Sequence, residues 1–88
     1  MKYNYICYAI WNGDNATSED MSKEMERYKA HAAKHGFDMT YWGHPYGVSE
    51  TMCLVFNSKN DLGAWQKMNQ AYSDWKITGQ RTILSARG

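Results

Sequence analysis

The chain has 88 residues, a formal net charge of +1, and ten Lys/Arg interleaved with nine Asp/Glu; it is read as one domain, residues 1–88, with neither the basic stripe of a nucleic-acid binder nor the run of about 20 apolar residues that crosses a bilayer. Leu, Ile, Val and Phe number only eleven, a fraction that marks disorder when the net charge is high, which it is not here. Four Trp, seven Tyr and six Met supply the missing apolar bulk, so a core of rings and thioethers is expected, and a disordered tail, a coiled coil and a membrane span are excluded.

Residues 2–11 alternate, with Tyr3, Tyr5, Cys7, Ala9 and Trp11 on one side and Asn4, Ile6, Tyr8 and Ile10 on the other. The period and the β-favouring residues predict a strand covered on both faces. The cluster Asn12-Gly13-Asp14-Asn15 reads as a turn. Thr17 or Ser18 can cap a helix that has Glu19 and Asp20 in its first turn and Met21, Met25, Tyr28 and Ala32 as its inward stripe. It runs to about His35, and Gly36 suits the position just past its end. Residues 38–44 predict a second strand, with Met39, Tyr41 and Gly43 opposite Thr40, Trp42 and His44. After a Pro45-Tyr46-Gly47 turn, residues 48–57 predict a third, with Met52, Leu54 and Phe56 opposite Thr51, Cys53 and Val55. The two form a hairpin. Ser58 followed by Asp61 resembles a capping arrangement for a helix that carries Leu62, Trp65, Met68 and Tyr72 inward and closes at Trp75 or Lys76. Residues 77–86 predict a last strand, with Gly79 as a bulge or bend.

The order β-α-β-β-α-β is the ferredoxin-like plan of an α+β domain: a four-stranded antiparallel sheet in the order 4-1-3-2 with two helices on one face. Ile6, Tyr8 and Ile10, with Met52, Leu54 and Phe56, are the most apolar sides of the central strands and are expected to face the helices. That leaves Tyr3, Tyr5 and Trp11 on the open face. An aromatic open face needs cover, and a second copy of the same sheet supplies it. A homodimer through this face is therefore expected.

Here the chain resembles the dimeric α+β barrel superfamily, in length, element order, two-sided strands and the stretch Ser58-Lys59-Asn60-Asp61-Leu62-Gly63-Ala64-Trp65, a polar cap followed by Leu-x-x-Trp. The resemblance implies sheets packed face to face. It also implies one of several activities: cofactor-free monooxygenases of the antibiotic-biosynthesis type, haem degraders, small isomerases and metabolite-binding proteins. In the oxygenases the ligand lies between helices and sheet. The haem degraders use an Asn, a Trp and a His; the chain has Asn4, Trp65 and several histidines, but no position-by-position alignment ties them to that set, so no such role is carried over. The third strand, Val48 to Phe56, does not match the RNA-recognition run, and no CxxC, Walker A or dinucleotide fingerprint occurs.

The residues suited to a small-molecule site are Tyr8, Tyr28, Trp42, His44, Met52, Phe56, Trp65, Met68 and Tyr72. Met adapts its shape, and Trp and Tyr offer flat walls with one polar atom each. The same stripe also reads as plain core. His44, Tyr8 and Tyr28 are the candidates for a converging polar trio, and Glu50 for a carboxylate of raised pKa that pairs with His44. His31 and His35, four apart on the first helix, share a face and suit a helix C-terminus. With no third ligand in view, no metal is expected. No cofactor is implied, nor a nucleic-acid or membrane partner. The first residues lack a signal-peptide core, and Cys7 and Cys53 read as buried thiols, so a cytoplasmic location is expected. The leading expectation is a homodimer that binds an apolar or amphipathic small molecule, fatty-acid-like or flat and aromatic, between sheet and helices. The alternatives are a cofactor-free monooxygenase or isomerase, and a structural or regulatory dimer without a ligand.

Overall fold

A computed structural model of the protein describes residues 2–12, 17–73 and 76–87, with the backbone alone at 78–80 and 82–87. The elements are β1 (Lys2–Trp11), α1 (Ser18–Lys34), β2 (Asp38–Gly43), β3 (Met52–Ser58) and α2 (Leu62–Gln70), and the segment Ile77–Arg87 is labelled β4. The two helices accompany a three-strand antiparallel sheet in the order β1-β3-β2. Among the described residues no helix is long and apolar enough to cross a membrane. The predicted turn at residues 12–15 lies outside the described residues except for Asn12, as does Trp75.

Thr17 is the cap of α1. Its side chain accepts from the Asp20 backbone N–H at 3.1 Å, while the Asp20 carboxylate accepts from the Thr17 N–H, a reciprocal capping box. At the other end Phe37 N–H donates to Ala32 O and Gly36 N–H to Ala33 O. With Gly36 at φ +82° and Phe37 buried, this is a Schellman ending. It turns the chain straight into β2.

α2 departs from its expected ends. Its cap is Asp61, whose carboxylate accepts from Ala64 N–H. The Ser58 hydroxyl instead donates to Gly36 O and accepts from Asn60 N–H, tying the end of β3 to the end of α1. The helix stops at Gln70, with Ala71 as its C-cap, rather than at Trp75 or Lys76. Leu62 in the first turn is 41% exposed and does not join the inward stripe. β3 begins at Met52, not at residue 48, because Tyr46 and Val48 are exposed and the chain around Gly47 (φ +83°) bends through solvent.

The sheet's faces correct the expectation for β1. Tyr5 pairs with Phe56, Cys7 with Leu54 and Ala9 with Met52, and residues directly opposite share a face. All six are completely buried toward the helices. Ile6, Tyr8 and Ile10 therefore lie on the open face, and Tyr3 and Trp11 pack against the core. The assignment for β3 stands and that for β1 reverses. The physical reason is volume. The helices bring Met25, Tyr28, Trp65 and Met68 into the core, and the small Cys7 and Ala9 leave room for them where branched isoleucines would not.

β2 carries a second departure. Met39 pairs with Phe56 but Tyr41 pairs with Val55, so Thr40 is an extra residue, a bulge on the edge strand. The Thr40 hydroxyl donates to Val55 O at 3.3 Å. The bulge breaks the two-residue period. Met39 and Trp42, expected on opposite faces, both pair with helix-side residues, and Tyr41 falls on the open face.

Candidate functional site

Six of the nine candidate residues come together. Tyr28, Met52, Phe56, Trp65, Met68 and Tyr72 are all buried between the helices and the sheet. Phe56 meets Trp65 edge-on at 4.9 Å between ring centroids, Tyr28 meets Phe56 at 5.7 Å, and Tyr28 lies 4.9 Å from Tyr72. Tyr5 stacks on Trp65 at 4.9 Å. These are contact distances for rings, so in this region the aromatic stripe packs as core.

The other three lie elsewhere. Tyr8 is on the open face, with the Arg81 guanidinium 4.9 Å from its ring centroid. His44 is exposed at the end of β2, where Nδ1 donates to Thr51 O at 3.1 Å. Trp42 packs against the rim of the core. The trio His44, Tyr8 and Tyr28 does not converge: Tyr8 and Tyr28 are on opposite sides of the sheet, and the Tyr28 hydroxyl donates to Asn69 Oδ1. Glu50 departs from its expected role too. Its own backbone N–H, and then Arg81 at 3.0 Å, hold its carboxyl below the usual carboxylate range. It pairs with Arg81 and not with His44, and it is no candidate base.

The burial of Glu24 was not anticipated. It is 6% exposed and receives a two-pronged contact from Arg27, at 2.9 and 3.2 Å. The same carboxylate accepts from Lys76 N–H, while Arg27 donates to Ser73 O and lies 4.2 Å over the Tyr72 ring. Burial, with the Glu24 charge adding to it, pushes the Tyr72 phenol far above its ordinary value. The signal was present in the sequence: position 24 lies between Met21 and Met25 on the inward stripe. The cluster fastens α1 to the chain leading into β4.

His31 Nε2 donates to Met68 O at 2.8 Å, with the His35 ring 4.7 Å from its own. Among the described residues no three His, Cys, Asp or Glu gather where a metal would need them. Cys7 and Cys53 are thiols, and burial raises the Cys53 pKa, which makes it a poor nucleophile at neutral pH.

A groove of about 180 Å³ runs along the seam where α1 meets the edge strand. Met25, Glu26 and Lys29 line it from α1, and residues Met39 to Trp42 from β2. Met25 and Met39 are almost fully buried, so the floor is apolar, and Glu26 and Lys29 make the rim charged. This site owes its wall to the Thr40 bulge, which turns Met39 and Trp42 toward the helix together. Of the candidates named from the sequence it contains Trp42 alone. A bulge in Met39-Thr40-Tyr41-Trp42 carries no Gly or Pro signal, so period-two reading misses it. The chain matches no protein-family model and no curated protein.

Proposed function

We propose that the chain binds an apolar or amphipathic small molecule in the seam between α1 and β2, as a homodimer of ferredoxin-like protomers. The groove is the observation that carries the binding reading. Its volume of about 180 Å³ is the size of one ring or a short acyl segment. Met and Trp walls adapt to such a guest, and the charged rim orients it. Tyr5, Tyr28, Phe56, Trp65 and Tyr72 already contact one another ring to ring between sheet and helices, which favours the seam over that region as the ligand's place. A monooxygenase or isomerase reading lacks its converging polar trio.

The ferredoxin-like plan needs β4 on the free side of β1. The backbone supports this with an antiparallel register from Lys2 opposite Arg87 to Tyr8 opposite Arg81, and a shift across Gly79 before Ile10 meets Thr78. The homodimer is supported by the open face, where Ile6, Tyr8, Ile10, Cys53 and Val55 lie together, Ile10 being 40% exposed. Two thiols without a disulfide suit a reducing compartment such as the cytoplasm.

The test is an amide and methyl NMR titration of the purified protein with small aromatic and short-chain acids. Shifts clustered on Met25, Met39 and Trp42, and lost in Trp42→Ala, are the expected result. Shifts confined to Tyr28, Phe56 and Met68 would move the site to the interior.

A further inference from the structure

The rim of the groove carries one charge of each sign, Glu26 and Lys29, one helical turn apart on α1. Resting on the seam as the binding site, we infer that its ligand is a zwitterion: a flat apolar body bearing an ammonium and a carboxylate, the chemistry of a free aromatic amino acid.

Two observations and their electrostatic consequence carry this. First, Glu26 and Lys29 make no ion pair, although their i,i+3 spacing allows one and the neighbouring Glu24 and Arg27 close such a pair at the same spacing. The ion pairs among the described residues are Lys23–Glu19, Arg27–Glu24 and Arg81–Glu50. Both rim charges are therefore left for a guest. Second, the floor between them and β2 is Met25 and Met39, with Trp42 as a wall, which selects an apolar, ring-sized body. In consequence, the charges discriminate by sign. A ligand with only a carboxylate gains Lys29 and meets Glu26 unfavourably, and a ligand with only an ammonium does the reverse. A ligand with both charges satisfies both.

The experiment is an NMR titration with four probes that share one ring: L-phenylalanine, phenylacetate, phenethylamine and benzyl alcohol, each to about 10 mM. L-Phenylalanine is expected to bind about twofold to fivefold more tightly than either singly charged probe, the range exposed charge pairs support. Lys29→Gln should remove that advantage over phenethylamine, weakening L-phenylalanine and strengthening phenethylamine, and Glu26→Gln should do the same against phenylacetate. Both positions are exposed on a helix and Gln is a good helix former, so the variants fold. Benzyl alcohol binding in the groove as tightly as L-phenylalanine overturns the zwitterion and leaves the seam standing. No shift at Met25, Met39 or Trp42 with any probe overturns both.

Discussion

At Gly36 a side chain meets two obstacles. The backbone is left-handed at φ +82°, and a Cβ would lie 2.5 Å from Asn60 Nδ2, whose amide donates to His35 O. Gly36→Ala is therefore expected to cost about 1–2 kcal/mol from the backbone conformation, and more if Asn60 gives up that bond; urea unfolding reads it directly. The buried phenols set the alkaline limit. Tyr5 is raised by burial, with Asp61 adding, and Tyr72 by burial, with Glu24 adding. In the unfolded chain both titrate near pH 10. The folded state holds its phenolic protons longer, so their contribution is complete below about pH 10 and is lost as pH rises above it. Urea midpoints followed from pH 7 to 11 should fall at the alkaline end, and Tyr72→Phe should flatten that fall. An unchanged slope in Tyr72→Phe would remove Tyr72 as its source.

The elements are held at their ends and by one half-buried ion pair. The Thr17–Asp20 capping box satisfies donors that α1 cannot satisfy internally, so Thr17→Ala should destabilise by about 1 kcal/mol. The Glu24–Arg27 pair ties α1 to the chain before β4: Glu24 accepts from Lys76 N–H and Arg27 donates to Ser73 O. Glu24→Ala removes the charged hydrogen bonds to Arg27 and Lys76 N–H, leaves a half-exposed Arg27 to solvent, and should cost about 1–2 kcal/mol. The exposed Lys23–Glu19 pair is the internal control: its removal should change stability by under about 1 kcal/mol. Comparable losses from Glu24→Ala and Glu19→Ala in parallel melts would show that the half-buried pair has no special role.

For the whole molecule the question is what covers the open sheet face. Isolated surface apolar groups need no explanation, but Ile6, Tyr8, Ile10 and Val55 are contiguous across paired strands. Sedimentation velocity should give twice the chain mass for the protein and the single-chain mass for the double variant Ile10→Lys/Val55→Lys, with an unchanged far-ultraviolet spectrum. A parent that sediments as a stable monomer would refute the homodimer.

Much of this fold follows from local signals that need no partner. The alternation in β1 and β3, the cap at Thr17, the Gly36 ending and the inward stripe Met25-Tyr28-Ala32 are properties of neighbouring residues, and the chain alone determines them. It also determines that the core is made of rings and thioethers, which is where Tyr28, Phe56, Trp65 and Met68 are found. Which face of β1 turns inward was not legible: both faces are apolar, and the choice rests on Tyr5, Cys7 and Ala9 fitting beneath helices that arrive from elsewhere in the chain. The seam was legible only in Trp42, because a one-residue bulge at Thr40 reverses every later side chain on β2 and leaves no mark in composition. Local chemistry determines which segments are helix or strand. Only the tertiary structure decides faces and registers, because these depend on the volume and pairing of residues far apart in sequence.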